Sequence, residues 1–481
     1  MTCRTQTILS SALLMVFSGI ALAQSLSPEQ AQRRLDDGNA RFATGRSVNP
    51  RSDATRRHET AEQGQRPFAT ILTCADSRVP VERIFDQGLG DVFVVRVAGN
   101  ICDNDEAATI EYGAGHLKTP LLVVMGHSQC GAVKAAVTEA PVEGQIRTIV
   151  DQIDPAVRSA RQQNPLLKGD ALLDSAIQAN VMHSIAELLG ESEEIRGLVR
   201  EDRLRVVGAV YDIAGGRVNW LGRHPDEKTL IKDGPSNDAG REQRGRVLGK
   251  TVVAEPVDEM PRTSEKEPVA GQVTCDAALA LLREGNERFS RGATTHPRSD
   301  KARLVETARE QHPFAALLSC SDSRVPPSRI FDQGFGDLFE VRVAGNVADT
   351  TEIGSLEYAA EHLHAPLLVV MGHSACGAVT AVARHTELHG HLPKLVDNIA
   401  PALASVQDSG TRLEGDELIK ATIHANVLQS ISDLKSHSAL IRRLEQSGRL
   451  RIVGAVYDME AGVVEWLDVQ PGSPANAPSA P

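Results

Sequence analysis

The chain repeats itself, and nothing else in the sequence constrains its fold as strongly. The stretch from Gln65 to Pro80 matches Gln311 to Pro326, and Ile84 to Gly88 matches Ile330 to Gly334. Met125 to Gly131 matches Met371 to Gly377, and Val207 to Asp212 matches Val453 to Asp458. The offset holds at 246 residues from Gln65 through Trp220 without a gap. A period that long is no solenoid, so each copy is a domain with its own core. A length of 481 residues agrees with two such domains. Copy one is read as 27–222 and copy two as 273–468. Between them, 223–272 is rich in charge, Gly and Pro and reads as a linker. The Pro-, Ala- and Ser-rich tail at 469–481 reads as disordered.

Inside each copy, short apolar runs alternate with helical patterns. In copy one the runs are Phe68 to Thr73, Val92 to Val97, Leu121 to Met125 and Leu204 to Val210. Unbroken apolar runs of this length suit strands buried on both faces of a parallel sheet. Helical patterns cover Ala107 to Leu117, Ala132 to Val137 and Leu172 to Leu189, and Arg217 to Leu221 reads as a short antiparallel edge strand. Each copy opens with an amphipathic helix; in copy one Ser27, Pro28 and Gln30 make a capping box with Pro at the first helical position. The expected class is therefore α/β, each domain a mostly parallel sheet flanked by helices.

The first residues read differently. Arg4, an uncharged apolar run from Ile8 to Ile20 and the small residues Ala21 and Ala23 form an export signal, with 1–23 removed. The expected location is the periplasm, with secretion as the alternative. With 51 Lys and Arg against 63 Asp and Glu, the chain is acidic, which argues against nucleic acid or an anionic membrane as partner. Six cysteines follow the signal, too few for a disulfide scaffold in a chain this long.

Their placement matters more than their number. Cys74 and Asp76 follow one strand end; His127 and Cys130 follow another. Ligands in open α/β sheets bind at the carboxyl ends of strands, so these residues can converge. Two thiolates and an imidazole with an exchangeable fourth position make a catalytic zinc site. The plainer readings are small core residues or a Cys74–Cys130 disulfide. Against them, the set recurs whole as Cys320, Asp322, His373 and Cys376 while the flanks drift. Cys102 and Cys275 occupy non-matching positions and stand outside it.

Cys74-x-Asp76-Ser-Arg78 with His127-x-x-Cys130-Gly131, and again Cys320-x-Asp322-Ser-Arg324 with His373-x-x-Cys376-Gly377, resemble the signature of the β-class carbonic anhydrases. The resemblance spans nearly all of both copies, as a tandem duplication. It implies one Zn2+ per domain and reversible hydration of carbon dioxide to bicarbonate and a proton by zinc-bound hydroxide. It makes Cys74, His127, Cys130, Cys320, His373 and Cys376 the metal ligands. It makes Asp76–Arg78 and Asp322–Arg324 catalytic dyads, with either aspartate able to serve as fourth ligand in a closed state. Gln65, Phe93, Tyr112 and Gly131, with Gln311, Phe339, Tyr358 and Gly377, become the substrate pocket. In that family the pocket walls come from the partner of a tight dimer, so the two copies should form an intramolecular pseudo-dimer, each completing the other's pocket, with further dimerisation left open. Some bacterial members carry a tryptophan three residues before the first cysteine, part of an inhibitory bicarbonate site; Ile71 and Leu317 stand there, which argues against that regulation. The alternatives are hydrolysis of carbonyl sulfide or carbon disulfide at the same site, or a non-catalytic zinc-bound scaffold.

Overall fold

The computed structural model describes residues 26–232, 273–410 and 412–467. The expected export signal, most of the linker and the tail lie outside them. Each apolar run becomes a strand: β1 (Ala69–Cys74), β2 (Val92–Val97), β3 (Leu121–His127) and β4 (Arg205–Asp212), with β5 (Arg217–Gly222) at the edge. Every residue of β1, β2 and β3 is buried, as expected of strands covered on both faces. β1 pairs in parallel with β2 and β3, β3 pairs in parallel with β4, and β5 runs antiparallel to β4. Copy two repeats the pattern with β6 (Ala315–Ser319), β7 (Leu338–Arg342), β8 (Leu367–His373), β9 (Arg451–Asp458) and β10 (Val463–Leu467).

The two domains share one sheet. β2 meets β7 antiparallel at Arg96 and Arg342, which gives ten strands in the order β10-β9-β8-β6-β7-β2-β1-β3-β4-β5. Each loop that follows a metal-site cysteine crosses to the other copy. Val94 N donates to Ser321 O at 3.2 Å, and Glu340 N donates to Ala75 O at 3.0 Å. Both interface arginines are buried and paired across the join, Arg96 with Glu340 at 2.5 Å and Arg342 with Glu82 at 2.6 Å. The arginines match between copies but their partners do not: Val94 stands at the position of Glu340, and Ser328 at that of Glu82.

Helices cover both faces. Pro28–Ala43 starts at the capping box read from sequence, with both reciprocal bonds formed. Gly169–Glu191 lies behind the sheet, where Asn180 Nδ2 donates to Gly99 O at 2.7 Å and Ser184 Oγ to Asn100 O at 2.9 Å. The helix Ile146–Gln163 is not in the sequence reading, although Ile146, Ile149, Ile153, Ala156 and Val157 form its buried stripe. Pro155 lies inside it and masks the pattern. At the matching Pro401 the copy-two chain does break, into Leu392–Asp397 and Ala400–Asp408. The segment read as linker is folded at its start, where the short helix Glu227–Leu230 brings Leu230 and Ile231 onto the copy-one core. No helix among the described residues is long and apolar enough to cross a membrane.

Candidate metal centre

Cys74 ends β1, His127 ends β3, and Cys130 caps the helix Gly131–Thr138. Gln129 between them has φ +55, a left-handed turn that brings imidazole and thiol to one point. In each copy the ligand atoms of the Cys-His-Cys set lie within 4.8 Å of one another, and all three residues are buried. Cys74 Sγ and Cys130 Sγ are 4.0 Å apart, and both cysteines are free thiols. That spacing is near the roughly 3.8 Å expected for two sulfurs about 2.3 Å from one tetrahedral zinc.

Three observations fit a dication. His127 Nδ1 lies 2.9 Å from Ser128 O, and His373 Nδ1 is held the same way by Ser374 O, so Nε2 faces the thiols in both copies. Among the described residues that Nε2 is buried without a hydrogen-bond partner in either copy. The paired thiols cannot both ionise unaided. Burial pushes Cys74 up, but the hydrogen bond from Cys130 and the nearby His127 bring it well below the ordinary thiol range. The bond to Cys74, burial and the first charge together push Cys130 well up. Cys320 and Cys376 split the same way. A divalent cation removes that opposition.

The aspartates stand beside the ligands, each spent on its arginine. Arg78 reaches Asp76 with Nε at 2.8 Å and a terminal nitrogen at 2.6 Å, a bidentate pair with both side chains buried. Burial raises the Asp76 pKa, but the Arg78 guanidinium and its hydrogen bonds, with the nearby His127, together outweigh it and hold the carboxyl at about 2. Arg78 also donates to Gln129 O at 3.1 Å, tying the dyad to the metal loop. Asp322 and Arg324 repeat the pair at 2.9 and 2.7 Å, and Arg324 again outweighs burial to hold Asp322 low.

The glutamines arrive from the opposite copy. Gln311 Nε2 donates to Asp76 Oδ2 at 2.6 Å, and Gln65 Nε2 donates to Asp322 Oδ2 at 2.9 Å. Each glutamine oxygen is fixed by the other copy's serine, Gln311 by Ser77 and Gln65 by Ser323. Gln65, Phe93 and Tyr112 line a narrow cavity with Cys320, Asp322, Gly377 and the apolar Leu388, Leu392, Leu395 and Val396. It has room for one very small molecule. We call the pocket of Cys320 site two and that of Cys74 site one.

The family described as carbonic anhydrase matches residues 69–218 and again 315–464. The chain belongs to that family, twice over. A carbonic anhydrase of Mycolicibacterium smegmatis is 40% identical over 197 residues, which is 40% of this chain and 92% of the relative. Carbonic anhydrase 2 of Mycobacterium tuberculosis is 38% identical over 195 residues, 40% of this chain and 91% of the relative. Among solved structures, the β-carbonic anhydrase CcaA shares 31% identity over 40% of this chain and 95% of its own, with a TM-score of 0.33. Each of the two mycobacterial relatives thus spans one copy, and this chain carries two.

Two features of the site had no clear signal in the sequence. Tyr112 and Tyr358 each open a π-helical turn, Tyr112–His116 and Tyr358–His362, and such turns recur at functional positions. The turns stack His116 on Tyr112 with ring centroids 4.8 Å apart, and His362 on Tyr358 at 5.5 Å. Both histidines are exposed. Cys102 and Cys275 lie apart from the metal ligands as free thiols, the first buried and the second half-buried.

Proposed function

We propose that each half catalyses the reversible hydration of carbon dioxide to bicarbonate and a proton, with zinc held by Cys74, His127 and Cys130 in site one and by Cys320, His373 and Cys376 in site two. The observation that carries this is a complete set in both halves: three convergent ligands, an aspartate–arginine dyad, and a glutamine from the opposite copy bonded to that aspartate. Bound zinc would act as a Lewis acid that makes water a nucleophile near neutral pH.

The chain's own residues supply orientation and shape. Asp76, kept ionised by Arg78, is a pure acceptor and orients a proton-bearing oxygen beside the ligands. Gln311 spends one amide N–H on Asp76 and has a second to donate to a substrate oxygen as charge develops there. Phe93, Tyr112 and the leucines give site two an apolar wall suited to a small uncharged molecule. Cys74 and Cys130 as thiolates offset the dication's charge, so the rate should climb toward alkaline pH. The signal read at residues 1–23 supports a periplasmic location.

Stopped-flow carbon dioxide hydration on the zinc-loaded mature chain, beside Cys74→Ser, Cys320→Ser and the double variant, tests this. Each single variant is expected to keep part of the rate and the double variant to lose it. A zinc-replete chain that hydrates nothing up to about pH 9 overturns the reading. Assays with carbonyl sulfide and carbon disulfide then decide between the hydrolase and the scaffold.

A further inference from the structure

The two pockets are built alike but fastened differently. The helix Leu392–Asp397 lays Leu392, Leu395 and Val396 along site two, and its N-terminal cap residue is His391. His391 N donates to Glu111 Oε2 at 2.7 Å, and its ring Nδ1 lies 2.8 Å from Glu111 Oε1. Ser192 Oγ donates to that same Oε1 at 2.6 Å. Glu111 is buried and immediately precedes Tyr112, which lines site two from copy one. One carboxylate therefore joins the two walls of one pocket. Gly390 permits the approach: its φ is +63, and a Cβ there would sit 2.4 Å from Glu111 Oε2.

Copy one keeps every part but the imidazole. Glu357 receives Ser438 Oγ at 2.6 Å and Gln145 N at 2.7 Å, and Gly144 admits its carboxylate with φ +64. Gln145 stands at the position of His391 and brings no charge. The electrostatics differ accordingly. Burial alone would raise Glu111, but the bonds from His391 and Ser192 hold it below the usual range, whereas burial prevails at Glu357 and pushes it up. His391 is raised in turn, first by its bond to Glu111 and against burial; Glu191 adds to the rise and Lys394 opposes it. Glu194, with His389 facing it, is the further charged group beside Glu111.

We propose that Glu111 and His391 form a positioning pair that braces the wall of site two, and that its absence from site one makes the two active sites respond differently to pH. While the imidazole is protonated the bond joins two ions; after deprotonation the neutral ring can still donate to the ionised carboxylate, but the ion–ion attraction is lost and the contact weakens. The site-two wall therefore loosens as pH rises through the His391 transition, while the site-one wall does not. The kinetic arm of the test rests on the functional reading above; the exchange arm stands without it.

In the exchange arm, hydrogen–deuterium exchange on the zinc-loaded full chain is compared at about pH 6 and about pH 8.5, corrected for the intrinsic pH dependence. Residues 388–397 are expected to lose protection several-fold between the two, and 142–151 to hold theirs. His391→Gln should show the low protection at both pH values, and Gln145→His should transfer the pH response to 142–151. In the kinetic arm, His391→Gln in the Cys74→Ser chain, where only site two works, should lower kcat/KM on the order of threefold to tenfold and flatten its excess pH dependence. The same change in the Cys320→Ser chain should leave site one unaltered. Segments that exchange alike, or His391→Gln acting equally on both sites, overturn the proposal.

Discussion

At the scale of single residues, Gly131 and Gly377 leave no room for a side chain beside the two pockets. A Cβ on Gly131 would fall 2.1 Å from the Tyr358 hydroxyl, and one on Gly377 2.3 Å from that of Tyr112. Gly131 begins a helix and adjoins the ligand Cys130, so the backbone cannot retreat without moving the metal loop. Gly131→Ala in the Cys320→Ser chain should cost roughly tenfold to a hundredfold in hydration rate, because the pocket wall must shift by an ångström-scale distance. Tyr358→Phe removes the clashing oxygen and should return part of the loss, while zinc content by atomic absorption stays at one ion per working site. The candidate ligands could be picked out in the sequence, since thiols and imidazoles after strand ends carry their own chemistry, and the structure clusters them. The glycines were legible only as members of a resembling motif. Their physical reason is a tyrosine from the other copy, which no local pattern shows. The partner of the His127 ring is equally hidden, because a backbone carbonyl leaves no mark in a sequence.

At the scale of elements, the strands were the most readable part, because a run such as Val92 to Val97 that is buried on both faces must be apolar throughout. The exception inside that run, Arg96, was the missed signal: a charge in a fully buried strand requires a partner, and the partner sits across the domain join. Arg96→Ala would leave Glu340 buried without its ion-pair partner, and should destabilise the chain by about 3–5 kcal/mol in urea unfolding. Replacing both residues by Met should recover only part of that loss, because Arg96 also donates to Cys74 O at 3.1 Å and Asp76 O at 2.8 Å. The helix Asn104–Glu111 and its mate Thr350–Glu357 carry a second hidden feature. Asp105, Glu106 and Glu352 are buried at their meeting, and Thr351 Oγ1 donates to Glu106 at 3.1 Å. Burial raises Asp105 to about 7 and Glu106 to about 8, with neighbouring carboxylates adding to the rise, and Glu352 is pushed up likewise. These groups hold protons in the folded chain that the unfolded chain releases above about pH 4. Their contribution to stability is therefore full below about pH 4, falls steadily as pH rises, and is gone once pH has passed the folded-state values of about 7 and 8. Calorimetry should show the melting temperature of wild type falling, relative to an Asp105→Asn, Glu106→Gln chain, between about pH 5.5 and 8.5. The comparison between the two chains isolates the effect, since protonation of the metal ligands works in the opposite direction and is common to both.

For the whole molecule, the repeat foretold two domains, but a repeat alone is equally consistent with two self-contained units on a string. The join at β2 and β7 decides otherwise, since it carries each glutamine into the opposite pocket. This arrangement has a direct kinetic consequence. In the Cys74→Ser chain only site two can work, and its glutamine is Gln65 from copy one. Gln65→Ala there should lower kcat/KM on the order of a hundredfold, the usual cost of losing an aligned donor to a developing charge. Gln311→Ala in the same chain serves a pocket already disabled and should change the rate less than about twofold. In the Cys320→Ser chain the two substitutions should exchange effects. Self-contained halves would give the reverse assignment in both backgrounds, each glutamine acting on the cysteine of its own copy. Stopped-flow measurement of the four combinations separates these outcomes without depending on how fast either site runs. The crossed result would mean that neither copy is an active unit when alone, which is the physical reason for keeping both on one chain: covalent linkage makes the encounter of the two halves intramolecular and so independent of protein concentration.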